Sequence, residues 1–322
     1  MPDAAAMQRV YGRMSLIKAN DDMMRAAIRA GKLQIIYYSP RGQEVIPSAI
    51  ADHLDADDRL ITIYRGLHDQ VAKGVPLKQL WAEYAGKATG TCKGKGGPMH
   101  ITHPDSGVMV TTGIVGSGMP IALGLALAAQ MDGTRQVTVT NFGDGATNIG
   151  AFHESLNMAS IWKLPILFIC QNNQYAEHTS YRLGTAVEAI AERAAGYSMP
   201  GITVDGNDPV AMWKAAGEAV ARARAGQGPT LLECRTFRFH GHLVGDDSHY
   251  IPKEDLAAAI AADPVPLFRR RLIEEWGVAA DTLDAIDADN QRQVEEALQF
   301  ALDSDYPAPE ENGRDILAEV AA

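Results

Sequence analysis

Apolar positions in the first segment recur at loosely helical spacing: Met14, Ile17, Met23 and Met24 lie between Gln8 and Gly31, and Gly31 suits the end of a helix. The pattern predicts an N-terminal helix packed onto the rest of the chain. Two further helices are predicted over Gln43 to His53 and Pro76 to Gly86, the second with proline in its first turn and glycine at its end. From Gly86 to Gly118 no period holds, and TGTCKGKGGPMH reads as a loop whose glycines let backbone approach a ligand closely. Beyond Gly118 helix and strand alternate. Helix Met119 to Met131, strand Gln136 to Phe142, helix Asn148 to Trp162 and strand Pro165 to Gln171 contain a βαβ unit. Strand Ile202 to Val204, helix Pro209 to Arg224 and strand Thr230 to Arg235 continue it, and charged helical segments run from Lys253 to the tail DSDYPAPEENG. The expected fold class is α/β: an open, mostly parallel sheet with helices on both faces and helical N- and C-terminal extensions, in a single domain over residues 1–322.

Composition narrows the partners. The chain is 46% apolar and 21% charged over 322 residues, enough for a substantial core. Its 29 basic and 40 acidic residues give a net charge of -11, which repels phosphate backbones and anionic lipid, so neither nucleic acid nor membrane is an expected partner. Cys92, Cys170 and Cys234 form no CxxC pair, which argues against a disulfide framework and for a reducing compartment. The longest apolar stretch, Met119 to Met131, is interrupted by Gly124 and is too short to cross a bilayer. The N-terminus carries an early acid and no apolar segment, so the expected location is the cytoplasm.

The chemistry concentrates in two segments. NFGDGATNIG at 141–150 follows one predicted strand and opens a helix, and QNNQYAE at 171–177 follows the next strand. A right-handed crossover brings both to the same carboxyl edge, so Asp144 and Asn173 should face each other across one crevice. A carboxylate, an amide oxygen, a backbone carbonyl near Tyr175 and a helix N-terminus at Ala146 to Asn148 suit a magnesium ion and the diphosphate it bridges. Gly143 and Gly145 allow backbone N–H groups to reach the phosphates. A lone GDG after a strand is usually an ordinary turn; the paired asparagines 26 residues beyond it reverse that reading. GIVGSG at 113–118 lacks the G-x-G-x-x-G order, a clear preceding strand and a later acidic partner, so a dinucleotide turn is not expected. His100/His103 and His240/His242 lack an HExxH helix or cysteine partner, so zinc is not expected either.

GDG followed by NN resembles the thiamine diphosphate signature. The longer run GDGATNIGAFHESLNMASIWKLPILFICQNNQYAEHT resembles the E1 component alpha subunit of pyruvate, branched-chain 2-oxo acid and acetoin dehydrogenases. RGQE (41–44), DRLITIYRGLH (58–68), GKGGPMH (94–100), GIVGSGMP (113–120) and RFHGH (238–242) extend the likeness, in the family's order, over roughly residues 14–310. The resemblance implies thiamine diphosphate and Mg2+ as cofactors, with Asp144, Asn173 and the Tyr175 carbonyl on the metal. Tyr64, Arg65, Arg238 and His242 would surround the diphosphate beside Gly143, Gly145 and Ala146, and the Gly113 and Val115 carbonyls would face the aminopyrimidine. Arginine forks match the phosphate charge that one magnesium leaves over, whereas Arg65 and Arg238 taken singly read as surface ion pairs.

The same resemblance implies an incomplete site. The pyrimidine-side domain and the glutamate that protonates the aminopyrimidine belong to an E1 beta subunit in such enzymes, and this chain shows no second α/β domain, so an α2β2 assembly is expected. The implied activity is that of an oxidoreductase on an aldehyde or oxo group: a small carbonyl substrate loses carbon dioxide or an aldehyde, and its acyl group passes to a lipoyl-bearing acyltransferase. His68 and His242 are the catalytic candidates, for proton relay or lipoyl binding, because imidazole titrates near neutrality; a structural hydrogen bond is the alternative for His68. Three departures bear on the substrate. Tyr38 stands where related chains carry a substrate-associated histidine, Leu243 replaces a phosphorylatable serine and so excludes control there, and Tyr250–Ile251 replaces a tyrosine–arginine pair. An acetoin-type substrate is therefore the alternative to pyruvate, and a non-catalytic cofactor-holding subunit is a further one.

Overall fold

Period-two alternation along the central strands decides the architecture. The computed structural model describes residues 2–315. Strands β1 (Arg59–Ile63), β2 (Val108–Thr112), β3 (Thr138–Gly143) and β4 (Ile166–Asn172) precede a small antiparallel hairpin, β5 (Tyr175–Ala176) with β6 (Thr179–Ser180), and are followed by β7 (Gly201–Asp205) and β8 (Thr230–Arg235). All but the hairpin form one six-stranded parallel sheet in the order β2-β1-β3-β4-β8-β7. The helices are α1 (Ala4–Arg29), α2 (Val45–Ala51), α3 (Leu67–Lys73), α4 (Leu77–Tyr84), α5 (Gly118–Met131), α6 (Gly150–Trp162), α7 (Tyr181–Gly184), α8 (Pro209–Arg224), α9 (Lys253–Ala261), α10 (Pro264–Glu274) and α11 (Ala280–Asp303).

Along β4, Ile166, Phe168 and Cys170 join Phe142 and Leu231 under α5 and α6, while Leu167 and Ile169 join Val139, Leu232 and Cys234 under the helices of the other face. Both faces are thus covered, as a parallel sheet requires. The terminal helices close the second layer: α11 lies against α1 and α4, with Tyr11 donating to Asp287 at 2.8 Å and Asn290 to the Gly12 carbonyl at 2.9 Å. No helix among the described residues is long and apolar enough to cross a membrane.

The expected α/β class holds, with corrections to the elements. Strands β1, β2, β5 and β6 and helices α3 and α7 lie where no element was expected. The segment from Gly86 to Gly118 therefore contains β2, an edge strand too short to show a period, buried at Val108, Thr111 and Thr112 and half-buried at Met109 and Val110. The predicted helix from Asn148 begins instead at Gly150, after a 3-10 turn over Asp144–Asn148.

The glycine-rich loop is organised by a residue that sequence reasoning passed over. Glu83, fully buried on α4, accepts from the backbone N–H groups of Cys92 (2.7 Å) and Gly94 (2.9 Å) with Oε2, and of Gly96 (2.8 Å) and Gly97 (3.0 Å) with Oε1. A Cβ at Gly90 would lie 2.4 Å from Glu83 Oε2, and one at Gly96 would lie 2.3 Å from the His100 carbonyl. These two glycines let the chain wrap a carboxylate, not a ligand. Glu83→Gln turns one acceptor into a donor facing two N–H groups, and is expected to destabilise the chain by about 2–4 kcal/mol. Denaturant unfolding measures this, and an unchanged midpoint would refute the clamp.

Candidate functional site

Because the six strands run parallel, their carboxyl ends share one edge, and the chain leaves β1 toward β2 but β3 toward β4. The crevice at such a switch point is where open α/β sheets bind ligands. Tyr64 and Arg65 follow β1, Gly113 and Val115 follow β2, Asp144, Gly145 and Ala146 follow Gly143 at the end of β3, Asn173 and Tyr175 follow β4, and Arg238 and His242 follow β8. All of them line one cavity of about 420 Å³, together with Tyr38, Ile63, Met99 and Glu177. His68 is the one predicted site residue that does not.

Asp144 is buried, and the Thr147 hydroxyl closes the turn behind it by donating to the Asp144 carbonyl at 2.7 Å. Burial pushes its carboxyl up to about 6, against the opposing pull of its own backbone and of Arg238 and Arg65. A hard cation would relieve that desolvation. Asn173 is held by donating from Nδ2 to Gln43 Oε1 at 2.6 Å, which fixes its amide plane; Asn172 turns away and donates to Glu233 at 2.8 Å. Of the paired asparagines, one faces the cavity and the other anchors it. Gln43 lies inside RGQE, but nothing in that motif marked it as the residue that orients Asn173.

The glycines divide by function. A Cβ on Gly143 would meet nothing within 4 Å, leaving open space for a phosphate to approach backbone, whereas one on Gly145 would lie 2.6 Å from the Ala176 Cβ. Gly145 thus answers to the β5–β6 hairpin. The helix N-terminus expected at Ala146 to Asn148 is corrected to the 3-10 turn, and Gly150, where α6 starts, does not line the cavity. The expectation that no strand precedes GIVGSG is also corrected, since β2 ends at Thr112; the glycine order still argues against a dinucleotide turn.

Arg65 and Arg238 are 4% and 1% exposed, and neither meets a carboxylate within salt-bridge distance among the described residues. Arg65 donates to the carbonyls of Ser39 (2.9 Å) and His242 (3.0 Å). Arg238 donates to the carbonyls of His240 (3.0 Å) and Glu177 (2.9 Å) and to the Tyr250 hydroxyl (2.7 Å). Burial pulls Arg65 down to about 10, with the Arg238 charge adding to it. The surface-ion-pair reading is therefore replaced by two desolvated cations held by neutral groups, an arrangement that a polyanion completes.

The two histidines fare differently. His242 lines the cavity, its backbone N–H donating to Asp246 at 2.5 Å and to the Tyr250 hydroxyl at 3.0 Å. Burial, then Arg65 and Arg238, push its imidazole down to about 4, so it is neutral at neutral pH and titration near 7 is no ground for a relay. His68 is fully buried beside β4 and outside the cavity lining, donating from Nε2 to Gln171 Oε1 at 2.7 Å. The histidine pairs considered for zinc form no cluster. Among the described residues the grouping with metal-ligating proximity is Asp55, Asp57 and Asp58, where Asp58 already binds Arg224 at 2.6 Å.

A buried carboxylate, an oriented amide and two guanidiniums without a carboxylate partner thus meet in one cavity at the carboxyl edge of a parallel sheet, the place where open α/β folds bind ligands. Comparison with known proteins supplies the family. The family model for the dehydrogenase E1 component matches residues 11–310. The chain is 40% identical over 308 residues to the acetoin:2,6-dichlorophenolindophenol oxidoreductase alpha subunit of Bacillus subtilis, covering 95% of this chain and 92% of that one. The protein of the same name from Cupriavidus necator is 40% identical over 319 residues, with coverage of 99% and 95%. The pyruvate dehydrogenase E1 component alpha subunit of Porphyra purpurea is 33% identical over 317 residues, with coverage of 96% and 92%. The chain belongs to the dehydrogenase E1 component family, as an alpha subunit of its thiamine-diphosphate-dependent oxidoreductases.

Magnesium with inorganic pyrophosphate is expected to raise the unfolding temperature, a native-state ligand at a hundred times its Kd contributing about 2.7 kcal/mol. Arg238→Ala should abolish the rise; an equal rise in both proteins would exclude the arginines as the anion's partners. Acid should weaken the fold. His240 and His242 are both pushed down to about 4 from 6.5, by burial first and then by Arg25 and Arg65 respectively. The unfolded chain binds more protons between those values, so stability is full above 6.5 and declines as pH falls toward 4. His240→Gln should flatten that decline in pH-resolved denaturant titrations, and an unaltered slope would contradict it.

Proposed function

We propose that this chain is the diphosphate-holding half of a composite thiamine diphosphate site. The Asp144 carboxylate, the Asn173 amide oxygen and the Tyr175 carbonyl hold magnesium; Arg65 and Arg238, with Tyr64 and His242, receive the diphosphate; and the Gly113 and Val115 carbonyls face the aminopyrimidine. Thiamine diphosphate, when bound, supplies the nucleophilic ring carbon that no side chain provides. The observation that carries this reading is the burial of Arg65 and Arg238 without a carboxylate partner beside a buried Asp144.

A beta chain completes the site in an α2β2 assembly, contributing the pyrimidine-side domain and the activating glutamate. The rim of the cavity supports a second chain there: Ile114 is 70% and Val115 51% exposed, and Ile121 on α5 and Ile161 and Trp162 at the end of α6 are exposed apolar side chains as well. The carbonyl substrate gives its acyl group to a lipoyl group on a separate acyltransferase. The acetoin-type reading is favoured over pyruvate by Tyr38 at the cavity wall and by the two relatives named for acetoin.

Calorimetry on the chain with its beta-type partner should register uptake of Mg2+ and thiamine diphosphate, and Asp144→Ala should weaken it about a hundred-fold or more. Dye reduction with acetoin or pyruvate should require both chains. Uptake untouched by Asp144→Ala, or full turnover by this chain alone, would defeat the proposal.

A further inference from the structure

The β5–β6 hairpin turns at Glu177 and His178, and the function proposed above uses neither side chain. Glu177 is exposed and lines the cavity. Its φ of 52° lies in the left-handed region, which glycine occupies freely and a side-chain-bearing residue only at a cost. The turn is tied to the anion-binding machinery, because the Glu177 carbonyl accepts from Arg238 Nη2 at 2.9 Å. Its carboxylate, by contrast, has no hydrogen-bond or ion-pair partner among the described residues, and its charge is felt by the rings of Tyr38 and His242. A strained backbone that presents a free carboxylate to a cavity is an outlier of the kind that accompanies function.

The charges of the cavity can be assigned in turn. Its lining contains two guanidiniums, Arg65 and Arg238, and two carboxylates, Asp144 and Glu177. With the cofactor held as proposed above, magnesium engages Asp144 and the diphosphate engages both arginines. The group left free on this chain's side is Glu177, beside the phenol of Tyr38 and the neutral imidazole of His242. A substrate with its own carboxylate would meet a like charge there and no free cation from this chain. A substrate with a hydroxyl would meet an acceptor, since an ionised carboxylate only accepts.

We propose that Glu177 sets the charge preference of this site, admitting a neutral carbonyl compound such as a hydroxyketone and disfavouring a 2-oxo acid. The inference rests on the cofactor placement of the preceding section and names the substrate class for it. Repulsion between two like unit charges in a partly solvated cavity is enough to change affinity about ten-fold.

The test uses the complex of this chain with its beta-type partner, loaded with Mg2+ and thiamine diphosphate. Two probes of similar shape and different charge, methyl acetylphosphonate (anionic) and dimethyl acetylphosphonate (neutral), are titrated by calorimetry, and kcat/KM is compared for pyruvate and acetoin. Glu177→Gln keeps the size and removes the charge. It is expected to tighten the anionic probe about five- to ten-fold, to leave the neutral one within about two-fold, and to raise the pyruvate-to-acetoin ratio of kcat/KM by a similar factor. Equal shifts for the two probes, or none, would overturn the role of Glu177. Cofactor uptake is measured on the same samples. A parent complex that takes up no cofactor overturns the underlying placement as well, whereas intact uptake with an unaltered charge preference overturns the Glu177 inference alone.

Discussion

Burying a guanidinium without a counter-ion costs several kcal/mol, and this chain does so twice at one edge of its sheet, with Arg65 and Arg238 held by neutral groups: carbonyls, the Tyr250 hydroxyl and the His242 ring. The third charge in the crevice, Asp144, is buried as well and is pushed toward its neutral form. Three desolvated charges that do not satisfy one another make a poor core and a good receptor. A divalent cation bridged to a polyanion satisfies all three at once, the cation on the carboxylate and the anion on the arginines. The parallel sheet makes this possible by delivering five separated segments to one edge, so that no segment has to fold around a charge by itself.

How far the sequence discloses this depends on the range of the signal. Asp144 and Asn173 were legible because a right-handed crossover of ordinary length converts sequence spacing into proximity, and β3 and β4 do pair in register from Thr138 with Ile166 to Gly143 with Gln171. Strands buried on both faces, such as Ile166–Asn172, read clearly as apolar runs. β2 did not, because VMVTT at a sheet edge is half-buried in its middle and lies in glycine-rich sequence. Burial itself was invisible: Arg65 and Arg238 look like surface residues to any local pattern, and nothing in the sequence shows that His68 lies buried outside the cavity lining, bonded to Gln171.

Glycine was the most ambiguous letter. In TGTCKGKGGPMH the density of glycine reflects a chain wound about the Glu83 carboxylate, and at Gly145 it reflects the hairpin that carries Glu177. Gly143, by contrast, lines the cavity and leaves space there that no protein atom claims. The same composition thus serves an internal clamp, a packing contact and a ligand approach, and only the identity of the nearest atom distinguishes them. Gln43 shows the converse. Its role is precise, fixing the amide plane of Asn173 from 130 residues away, yet it carries no local signature.

Two costs remain in the isolated chain, the unpaired arginines and the exposed apolar rim around Ile114 and Val115, and they lie at the same cavity. Val115 belongs to both, lining the cavity while half its surface faces solvent. A ligand that orders the segment after β2 against its own ring also fixes the surface on which a second chain would rest. A second chain that covers that rim in turn lowers the dielectric around Arg65, Arg238 and their anion, which strengthens their attraction. Each event favours the other by the same free energy, because linkage between two binding equilibria is reciprocal. A site divided between chains is then a source of control. On the placement proposed above, a cofactor would answer the unpaired arginines and a second chain the exposed apolar rim, so both costs of the lone chain would be relieved together only with the two in place.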